Sequence, residues 1–282
     1  MKANMTKHSY ALPADATRLN IPQAADVIKI GGSVLDDSDT ILEEISVLWK
    51  AGRRIAIVHG GGPVIDEWMR RMGVNPVFIN GRRVTDAATL EIVRSVLIGK
   101  INSEIVRTLQ ILGVRAVGLC GMDGGMVRAK RANPELGLVG LAELANTDLI
   151  ETLHTAGFMP VIAPLCLGPD NECLNVNADD VANSIARALR AENLVFLSNV
   201  SGVYSAGHTL IPALTAEHAR KLIAQGVISG GMAPKIEACL EALDDVASVY
   251  IVEGSLPGVV LRAFSDHSGG APVGTRIMRA AT

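Results

Sequence analysis

Short aliphatic runs alternate along the chain with longer stretches in which apolar residues recur every three or four positions. The short runs, which predict strands, are 27–30, 54–58, 114–119, 159–163, 194–197, 248–252 and 274–278. The longer stretches, which predict helices, are 38–51, 63–72, 89–112, 147–157, 179–190, 215–225, 233–243 and 257–264. Strands separated by single helices indicate a parallel sheet with helices on both faces. The pattern therefore predicts an α/β fold, with hairpins over 124–146 and 199–212.

Two of the predicted strands end in glycine-rich turns that lead into helices. The first strand runs into Gly31-Gly32, and the second runs into Gly60-Gly61-Gly62. Backbone N–H groups at such a turn are open to an anion, because no Cβ blocks its approach and the helix dipole favours negative charge. Glycine after a strand is also common in α/β proteins, and neither turn matches the two familiar nucleotide-binding glycine patterns. The spacing alone leaves anion binding and an ordinary turn both open.

Two lysines accompany glycines in a way that suggests phosphate chemistry. Lys29 lies beside the first glycine turn, and Lys235 follows Gly230-Gly231 at the start of a predicted helix. A lysine at a helix N-terminus opposes the helix dipole, and taken alone it is an ordinary surface residue. A polyphosphate between the lysine and the helix would make the position favourable. We interpret these features as a phosphoryl-transfer site that faces an anionic acceptor.

Two further segments combine polar groups that suit a small anionic substrate. Arg82 and Arg83 adjoin a predicted glycine turn, and the planar fork of arginine fits a carboxylate. Alternation points Asn175, Asn177 and Asp179 to one side if their segment is extended, which suits substrate contacts and a lysine partner. A solvated surface turn for the arginines and a simple helix cap for the other residues are the structural alternatives.

Composition and charge exclude several classes of protein. The net charge of −3 argues against a nucleic-acid-binding surface, and no apolar stretch reaches membrane-spanning length. The four cysteines show no metal-binding spacing, so they predict idle thiols in a reducing compartment. Residues 1–26 are polar and lack the apolar segment of a secretory signal. We therefore expect a flexible leader over these residues and a cytoplasmic protein.

Six short motifs, found in order along the chain, resemble those of the amino acid kinase superfamily. They are Lys29-Ile30-Gly31-Gly32, His59-Gly60-Gly61-Gly62-Pro63, Gly81-Arg82-Arg83-Val84-Thr85-Asp86, Gly99-Lys100-Ile101-Asn102, Asn175-Val176-Asn177-Ala178-Asp179 and Gly230-Gly231-Met232-Ala233-Pro234-Lys235. The resemblance extends over nearly the whole chain, and within the superfamily it is strongest to the kinases that act on N-acetyl-L-glutamate. An ordered set of motifs is far more specific than any single glycine turn.

The resemblance implies an open αβα sandwich with a mainly parallel central sheet and two lobes. The lobe formed by residues 27–174 would bind the acceptor and form a homodimer, and the lobe formed by residues 175–282 would bind ATP. The implied reaction is phosphorylation of the γ-carboxylate of N-acetyl-L-glutamate, a step in arginine biosynthesis. Mg²⁺ would be bound together with the nucleotide, and no residue of the chain is predicted as a metal ligand.

The resemblance also implies roles for individual residues. Lys29 and Lys235 would neutralise the transferred phosphoryl group, and Asp179 would orient both lysines. The residues implied in acceptor binding are Gly61, Gly62, Arg83, Asn175 and Asn177, with Arg83 and Asn175 on the α-carboxylate. The residues implied in phosphate or ATP binding are Gly31, Gly32, Ser198, Asn199, Gly202, Gly231 and Met232. Gly31, Gly32 and Gly61 would act through their backbone N–H groups.

Two alternatives to this function stay open at the level of sequence. Asn199 stands where kinases of acetylglutamate usually carry Asp, and in this it is similar to related kinases of carrier-protein-linked aminoadipate. The intact motif that contains Arg83, together with the absence of a broad basic patch for an acidic carrier protein, favours acetylglutamate. The other alternative is a catalytically silent amino-acid sensor with the same fold. The joint presence of Lys29, Asp179 and Lys235 argues against it.

The long apolar helix predicted over 89–112 offers a surface for a symmetric partner. Within the superfamily, hexameric enzymes that arginine inhibits carry an additional N-terminal helix. Pro13 and Pro22 interrupt any such helix in residues 1–26. We therefore expect a homodimer that is insensitive to arginine.

Overall fold

The central feature of the fold is an eight-stranded sheet. The computed structural model describes residues 24–35, 38–229, 232–265 and 273–279. Its strands are β1 (Asp26–Ile30), β2 (Ile55–His59), β3 (Phe78–Ile79), β4 (Arg82–Arg83), β5 (Ala116–Cys120), β6 (Ala129–Arg131), β7 (Val139–Ala142), β8 (Met159–Ala163), β9 (Leu165–Leu167), β10 (Cys173–Val176), β11 (Asn193–Ser198), β12 (Ala213–Thr215), β13 (Ser248–Glu253) and β14 (Thr275–Met278). The order in the large sheet is β12-β14-β13-β11-β1-β2-β8-β5, and every neighbouring pair is parallel except β13–β14. The predicted α/β fold with a mainly parallel central sheet is confirmed.

Helices cover both faces of the central sheet, and each face has its own hydrophobic core. The helices are α1 (Ser38–Lys50), α2 (Gly62–Arg71), α3 (Ala87–Arg94), α4 (Ser103–Ile111), α5 (Asp148–Thr155), α6 (Ala178–Ala188), α7 (Ala216–Ala224), α8 (Met232–Ala242) and α9 (Val259–Phe264). Val27 of β1 packs in the core that contains apolar residues of α6, α7 and α8, whereas Ile28 and Ile30 pack in the core on the opposite face. Because side chains alternate along a strand, Lys29 lies on the face that α6 and α8 cover.

Two smaller sheets accompany the large one. Strands β6, β7, β10 and β9 form a four-stranded sheet in that order, and β3 pairs with β4 as a separate hairpin. The two residues that join β3 to β4, Asn80 and Gly81, have φ angles of 49° and 75°. A two-residue hairpin turn favours this left-handed conformation at both positions. Asn175 lies inside β10, so the expected boundary between the lobes falls within this strand, and the division into lobes stays a prediction.

The helix predicted over 89–112 is a helical run from Ala87 to Ile111 with an unusual middle. Residues Ser95–Asn102 form a π-helical segment between α3 and α4. The run ends before Gly113, whose φ of 78° is the left-handed conformation that commonly follows a helix. A π-helical segment rotates the side chains relative to a regular α-helix, and the apolar periodicity of the sequence does not reveal it.

Asp26 belongs to the central sheet and not to the predicted leader. Its carboxylate is fully buried, where Arg53 Nε donates to Oδ2 at 2.7 Å and Asn193 Nδ2 donates to Oδ1 at 2.8 Å. A paired cation and a hydrogen bond make the burial of a carboxylate tolerable. The sequence shows only a polar residue next to a strand, because both partners are distant along the chain. Residues 1–23 of the predicted leader lie outside the described residues.

The cysteines are free thiols, as the sequence predicts. Cys120, Cys166 and Cys239 are buried, and Cys173 is half-buried. Among the residues that the structure describes, no helix has both the length and the apolar composition needed to cross a membrane.

Candidate active site

Three charged side chains that the sequence predicts to act together meet in the structure. Lys29 Nζ lies 2.8 Å from Asp179 Oδ1, and Lys235 Nζ lies 3.1 Å from Asp179 Oδ2. One carboxylate therefore holds two lysines, one on each oxygen. The three residues come from β1, α6 and α8, so the cluster forms only in the folded chain. We call these three residues the lysine–aspartate cluster.

The position of each charged group follows from the element that carries it. Lys29 projects from β1 towards α6, and Asp179 lies in the first turn of α6. Lys235 lies in the first turn of α8, and its Nζ is 5.5 Å from the centre of the Phe196 ring. Phe196 is the neighbour of Lys29 in the register of β1 and β11. The face of an aromatic ring attracts a cation, so Phe196 helps to hold Lys235 close to Lys29.

The lysine–aspartate cluster carries an excess of positive charge. Burial by itself raises the pKa of Asp179, but the charges and hydrogen bonds of Lys29 and Lys235 together outweigh burial and hold this pKa below its ordinary value. Asp179 therefore stays ionised at neutral pH. Two lysines against one carboxylate leave one unit of positive charge, which suits an incoming anion.

The two glycine turns approach each other too closely for side chains. A Cβ on Gly32 would lie 2.7 Å from Gly62 N and 2.9 Å from Gly61 N. A Cβ on Gly61 would lie 2.5 Å from Ile101 Cδ1, which belongs to the π-helical segment. The two predicted anion-binding turns are therefore in contact, and glycine is required where they meet.

Gly31 differs from its predicted role. Its N–H donates to the Leu197 carbonyl oxygen at 2.9 Å, so it is not free to bind a phosphate. A Cβ at Gly31 would lie 2.8 Å from the same oxygen. The prediction that Gly31 donates its N–H to phosphate is therefore wrong for this structure, because that group continues the hydrogen bonding between β1 and β11. The corresponding roles of Gly32 and Gly61 stay predictions.

A cleft of about 230 Å³ opens next to the lysine–aspartate cluster. Residues of the glycine turns, the β3–β4 hairpin and the segment before α6 line it. Among them are Lys29, Gly32, Gly61, Gly62, Arg83, Asn175 and Asn177. All five residues that the sequence implies in acceptor binding therefore border one cleft. Pockets for drug-sized molecules are typically about 300–1,000 Å³, so this cleft suits a smaller metabolite.

Arg83 is buried at this cleft and held by several neighbours. Its Nη1 lies 2.6 Å from Asp66 Oδ1 and 3.2 Å from Met69 Sδ. Its guanidinium carbon lies 4.7 Å from the centre of the Phe78 ring. An arginine with these contacts has a restricted geometry, so a solvated surface turn is wrong for Arg83.

The two asparagines implied in acceptor binding have different structural roles. Asn175 Nδ2 donates to Thr85 Oγ1 at 3.1 Å. Asn177 is the N-cap of α6, and its Oδ1 accepts a hydrogen bond from the Asp179 N–H at 3.1 Å. The segment is therefore not extended as far as Asp179, because the helix begins at Ala178. The capping role does not remove Asn177 from the cleft, which both asparagines line.

The residues implied in ATP binding lie around the end of β11 and the start of α8. Ser198 ends β11, Asn199 is exposed in the loop that follows, and Met232 begins α8. Gly202 has a φ of 140°, a backbone conformation that other residues rarely adopt. Gly231 lies outside the described residues. The role of this set in ATP binding stays a prediction.

His59, which precedes the second glycine turn, is a buried structural residue. Its Nδ1 lies 3.0 Å from the Gly60 carbonyl oxygen, and Asn102 Nδ2 lies 3.1 Å from its Nε2. These partners fit a neutral ring that donates from Nδ1 and accepts at Nε2. Burial lowers the pKa of His59 to about 4. His59 is therefore neutral at neutral pH, and it links the π-helical segment to the end of β2.

His59 should make the protein less stable in acid. Its pKa is about 4 in the folded state against 6.5 for an exposed histidine, so only the unfolded chain takes up this proton as the pH falls from 6.5 to 4. The linked loss of unfolding free energy is about 3 kcal/mol. We expect denaturant unfolding at pH 7 and pH 4 to show a smaller loss for His59→Gln than for the parent protein. The exposed His218→Gln is the control, and equal losses in all three proteins would contradict the prediction.

The described residues also bear on how a metal ion could be held. They contain no group of three or more His, Cys, Asp or Glu side chains that could bind one. Both oxygens of Asp179 are taken by lysines. Mg²⁺ is often bound through nucleotide phosphates and water with few protein ligands, so a nucleotide-borne Mg²⁺ fits these residues.

The sequence analysis missed the partners that hold the predicted residues in place. Asp66 and Phe78 fix Arg83, and Asp180 pairs with Arg82, with Asp180 Oδ2 2.9 Å from Arg82 Nη2. Arg82 and Asp180 each adjoin a predicted site residue in the chain, which is the one available signal. The pairing itself joins positions 98 residues apart, which no local pattern reveals.

Comparisons with known proteins agree with this geometry. A model of the amino acid kinase family matches residues 26–253. An acetylglutamate kinase from Symbiobacterium thermophilum is 42% identical over 264 residues, covering 88% of this chain and 90% of its own length. An acetylglutamate kinase from Jannaschia sp. is 37% identical over 283 residues, covering 97% of this chain and 99% of its own length. The structure of an N-acetylglutamate synthase from Neisseria gonorrhoeae has a TM-score of 0.83 at 23% identity. It covers 95% of this chain, which spans 62% of that protein.

Proposed function

Because this chain belongs to the amino acid kinase family, we propose that it transfers the γ-phosphoryl group of ATP to the γ-carboxylate of N-acetyl-L-glutamate. The products are an acyl phosphate and ADP. The observation that carries the proposal is the lysine–aspartate cluster at the edge of the cleft that Arg83 and Asn175 line. The names of the two acetylglutamate kinases that cover most of the chain support the same substrate.

The proposed chemistry matches the charges of the site. A γ-carboxyl group has an ordinary pKa of about 4.3, so it is already an anion at neutral pH and needs no general base. One of its oxygens attacks the γ-phosphorus, and the bond to the oxygen that bridges the β- and γ-phosphates breaks. The main obstacle is the approach of two anions. The excess positive charge of the lysine–aspartate cluster reduces their repulsion, and Mg²⁺ bound through ATP oxygens would reduce it further.

The cleft also suits an acceptor whose amino group is blocked. Arg83 is held by Asp66 at 2.6 Å, and Arg82 lines the same cleft. The α-carboxylate of the acceptor would bind to Arg83. A free ammonium next to these arginines would lose its hydration and meet like charge, whereas an acetylated amide carries no charge.

Asn199 does not single out a carrier-linked aminoadipate as the acceptor. It is exposed in the loop after β11 and is not among the residues that line the cleft. The side chain that raised this alternative in the sequence therefore does not shape the end of the cleft where Arg83 lies. Acetylglutamate stays the preferred acceptor, and an aminoadipate derivative becomes a comparison in the assay.

A single assay tests the acceptor and the activity together. ADP release and trapping of the acyl phosphate with hydroxylamine are measured with ATP, Mg²⁺ and each of three acceptors: N-acetyl-L-glutamate, L-glutamate and N-acetyl-L-2-aminoadipate. We expect the highest kcat/KM for N-acetyl-L-glutamate. Equal kcat/KM for glutamate would contradict the assignment of the acceptor. No trapped product with any acceptor, in spite of measurable binding of N-acetyl-L-glutamate, would favour the silent sensor.

We also propose a homodimer that forms through the helical run over 87–111. Ile98 and Ile111 of this run are large apolar side chains that are exposed in the single chain. A symmetric partner would remove them from water. The absence of arginine inhibition and the cytoplasmic location stay predictions of the sequence.

A further inference from the structure

One ion pair joins the hairpin over the cleft to the helix that carries Asp179. Arg82 Nη2, on β4, donates to Asp180 Oδ2, in the first turn of α6, at 2.9 Å. The side chains are 28% and 25% exposed, so water screens this pair less than a pair on the open surface. Arg82 is also one of the residues that line the cleft.

The β3–β4 hairpin depends on such contacts for its position. It pairs only with itself and belongs to neither of the larger sheets. A two-stranded hairpin is at best marginally stable by itself, so side-chain contacts must hold it in place. Phe78, Gly81, Arg82 and Arg83 of this hairpin line the cleft. Movement of the hairpin would therefore change the shape of the acceptor site.

We propose that the Arg82–Asp180 ion pair is a positioning clasp that holds the hairpin against α6. Neighbouring residues on a strand point to opposite sides, so Arg82 can reach Asp180 while Arg83 packs against Asp66. Asp180 follows Asp179 on α6. The clasp therefore ties the arginine that binds the acceptor to the carboxylate that holds both lysines. This inference rests on the proposed function and assigns to Arg82 and Asp180 a role in how tightly the acceptor is bound.

A direct contact between Arg82 and the acceptor is the competing explanation. The two explanations differ in what Asp180 does. In a clasp, loss of either charge releases the same hairpin, so the two substitutions are not additive. In a direct contact, Asp180 only accompanies Arg82, and its loss has a smaller effect.

Steady-state kinetics of Arg82→Leu, Asp180→Asn and the double variant test the clasp. We expect each single substitution to raise the KM for N-acetyl-L-glutamate by about three- to tenfold, with the KM for ATP changed less than twofold. The double variant should be no worse than the worse single variant. The reversed pair, Arg82→Asp with Asp180→Arg, should recover part of the loss. Arg187→Leu breaks a comparable ion pair with Asp245 at the other end of α6 and is the matched control.

Additive effects, an unchanged KM in both single variants, or a large effect of Arg82→Leu beside a silent Asp180→Asn would each overturn the clasp. Hydrogen–deuterium exchange of the free protein provides a readout that needs no turnover. Amide exchange over residues 77–84 should become faster in both single variants and not in Arg187→Leu. Faster exchange without turnover of N-acetyl-L-glutamate in the parent protein would refute the acceptor and keep the clasp. Normal turnover with unchanged exchange would refute the clasp alone.

Discussion

Replacing Lys235 by alanine should lower kcat about 10²- to 10³-fold and change the KM for N-acetyl-L-glutamate far less. Lys235 contacts Asp179 and not the acceptor-binding residues at Arg83, so its charge acts mainly on the phosphoryl group during transfer. Lys29→Ala should have an effect of the same order, because the two lysines occupy the two oxygens of one carboxylate. The measurement is steady-state kinetics with both substrates varied.

Controls separate this effect from a loss of folding. Lys221, exposed in the last turn of α7, provides Lys221→Ala as a variant that removes a lysine without touching the cluster. Thermal unfolding of each variant checks that the fold is retained. Asp179→Asn should also lower kcat, because it loosens both lysines together. A Lys235→Ala enzyme that folds and turns over at nearly the parental rate would remove Lys235 from the mechanism.

Replacing Arg83 by alanine should raise the KM for N-acetyl-L-glutamate about 10- to 100-fold and leave the KM for ATP nearly unchanged. Hydrogen bonds to a charged group contribute about 1.5–3 kcal/mol, which corresponds to this range. The effect should be confined to the acceptor because Arg83 borders the same cleft as Asn175, whereas the predicted ATP residues lie around the end of β11. Initial rates at saturating ATP with varied acceptor give the first KM, and the reverse experiment gives the second.

Two further variants identify the origin of the Arg83 effect. Arg83→Ala leaves Asp66 without its partner, so the double variant with Asp66→Asn shows how much of the loss comes from that uncompensated charge. Arg70→Ala removes an exposed arginine from α2 and is the matched control. An Arg83→Ala enzyme whose KM for ATP rises as much as its KM for the acceptor would show that Arg83 supports the whole site and does not bind one substrate.

Much of the fold follows from the local pattern of the sequence. The strand predicted over 159–163 coincides with β8, and Gly113 ends a helix where its conformational freedom predicts it. Such features depend on neighbours within a few positions, so periodicity and turn residues are enough to locate them. Asp26 shows the limit, because the sequence marks its charge but not the buried Arg53 that allows it to lie inside a strand.

The sequence by itself also determined which residues carry the candidate chemistry. Lys29, Asp179 and Lys235 stand in recognisable motifs, and the lysines approach the carboxylate within hydrogen-bonding distance only because β1, α6 and α8 meet on one face of the sheet. What only the tertiary structure decided is the role of groups whose partners are remote. The Gly31 N–H is used by Leu197, and Arg82 is paired with Asp180 across 98 positions. Hydrogen bonds and ion pairs act over a few ångströms in space, and distance along the chain does not report that separation.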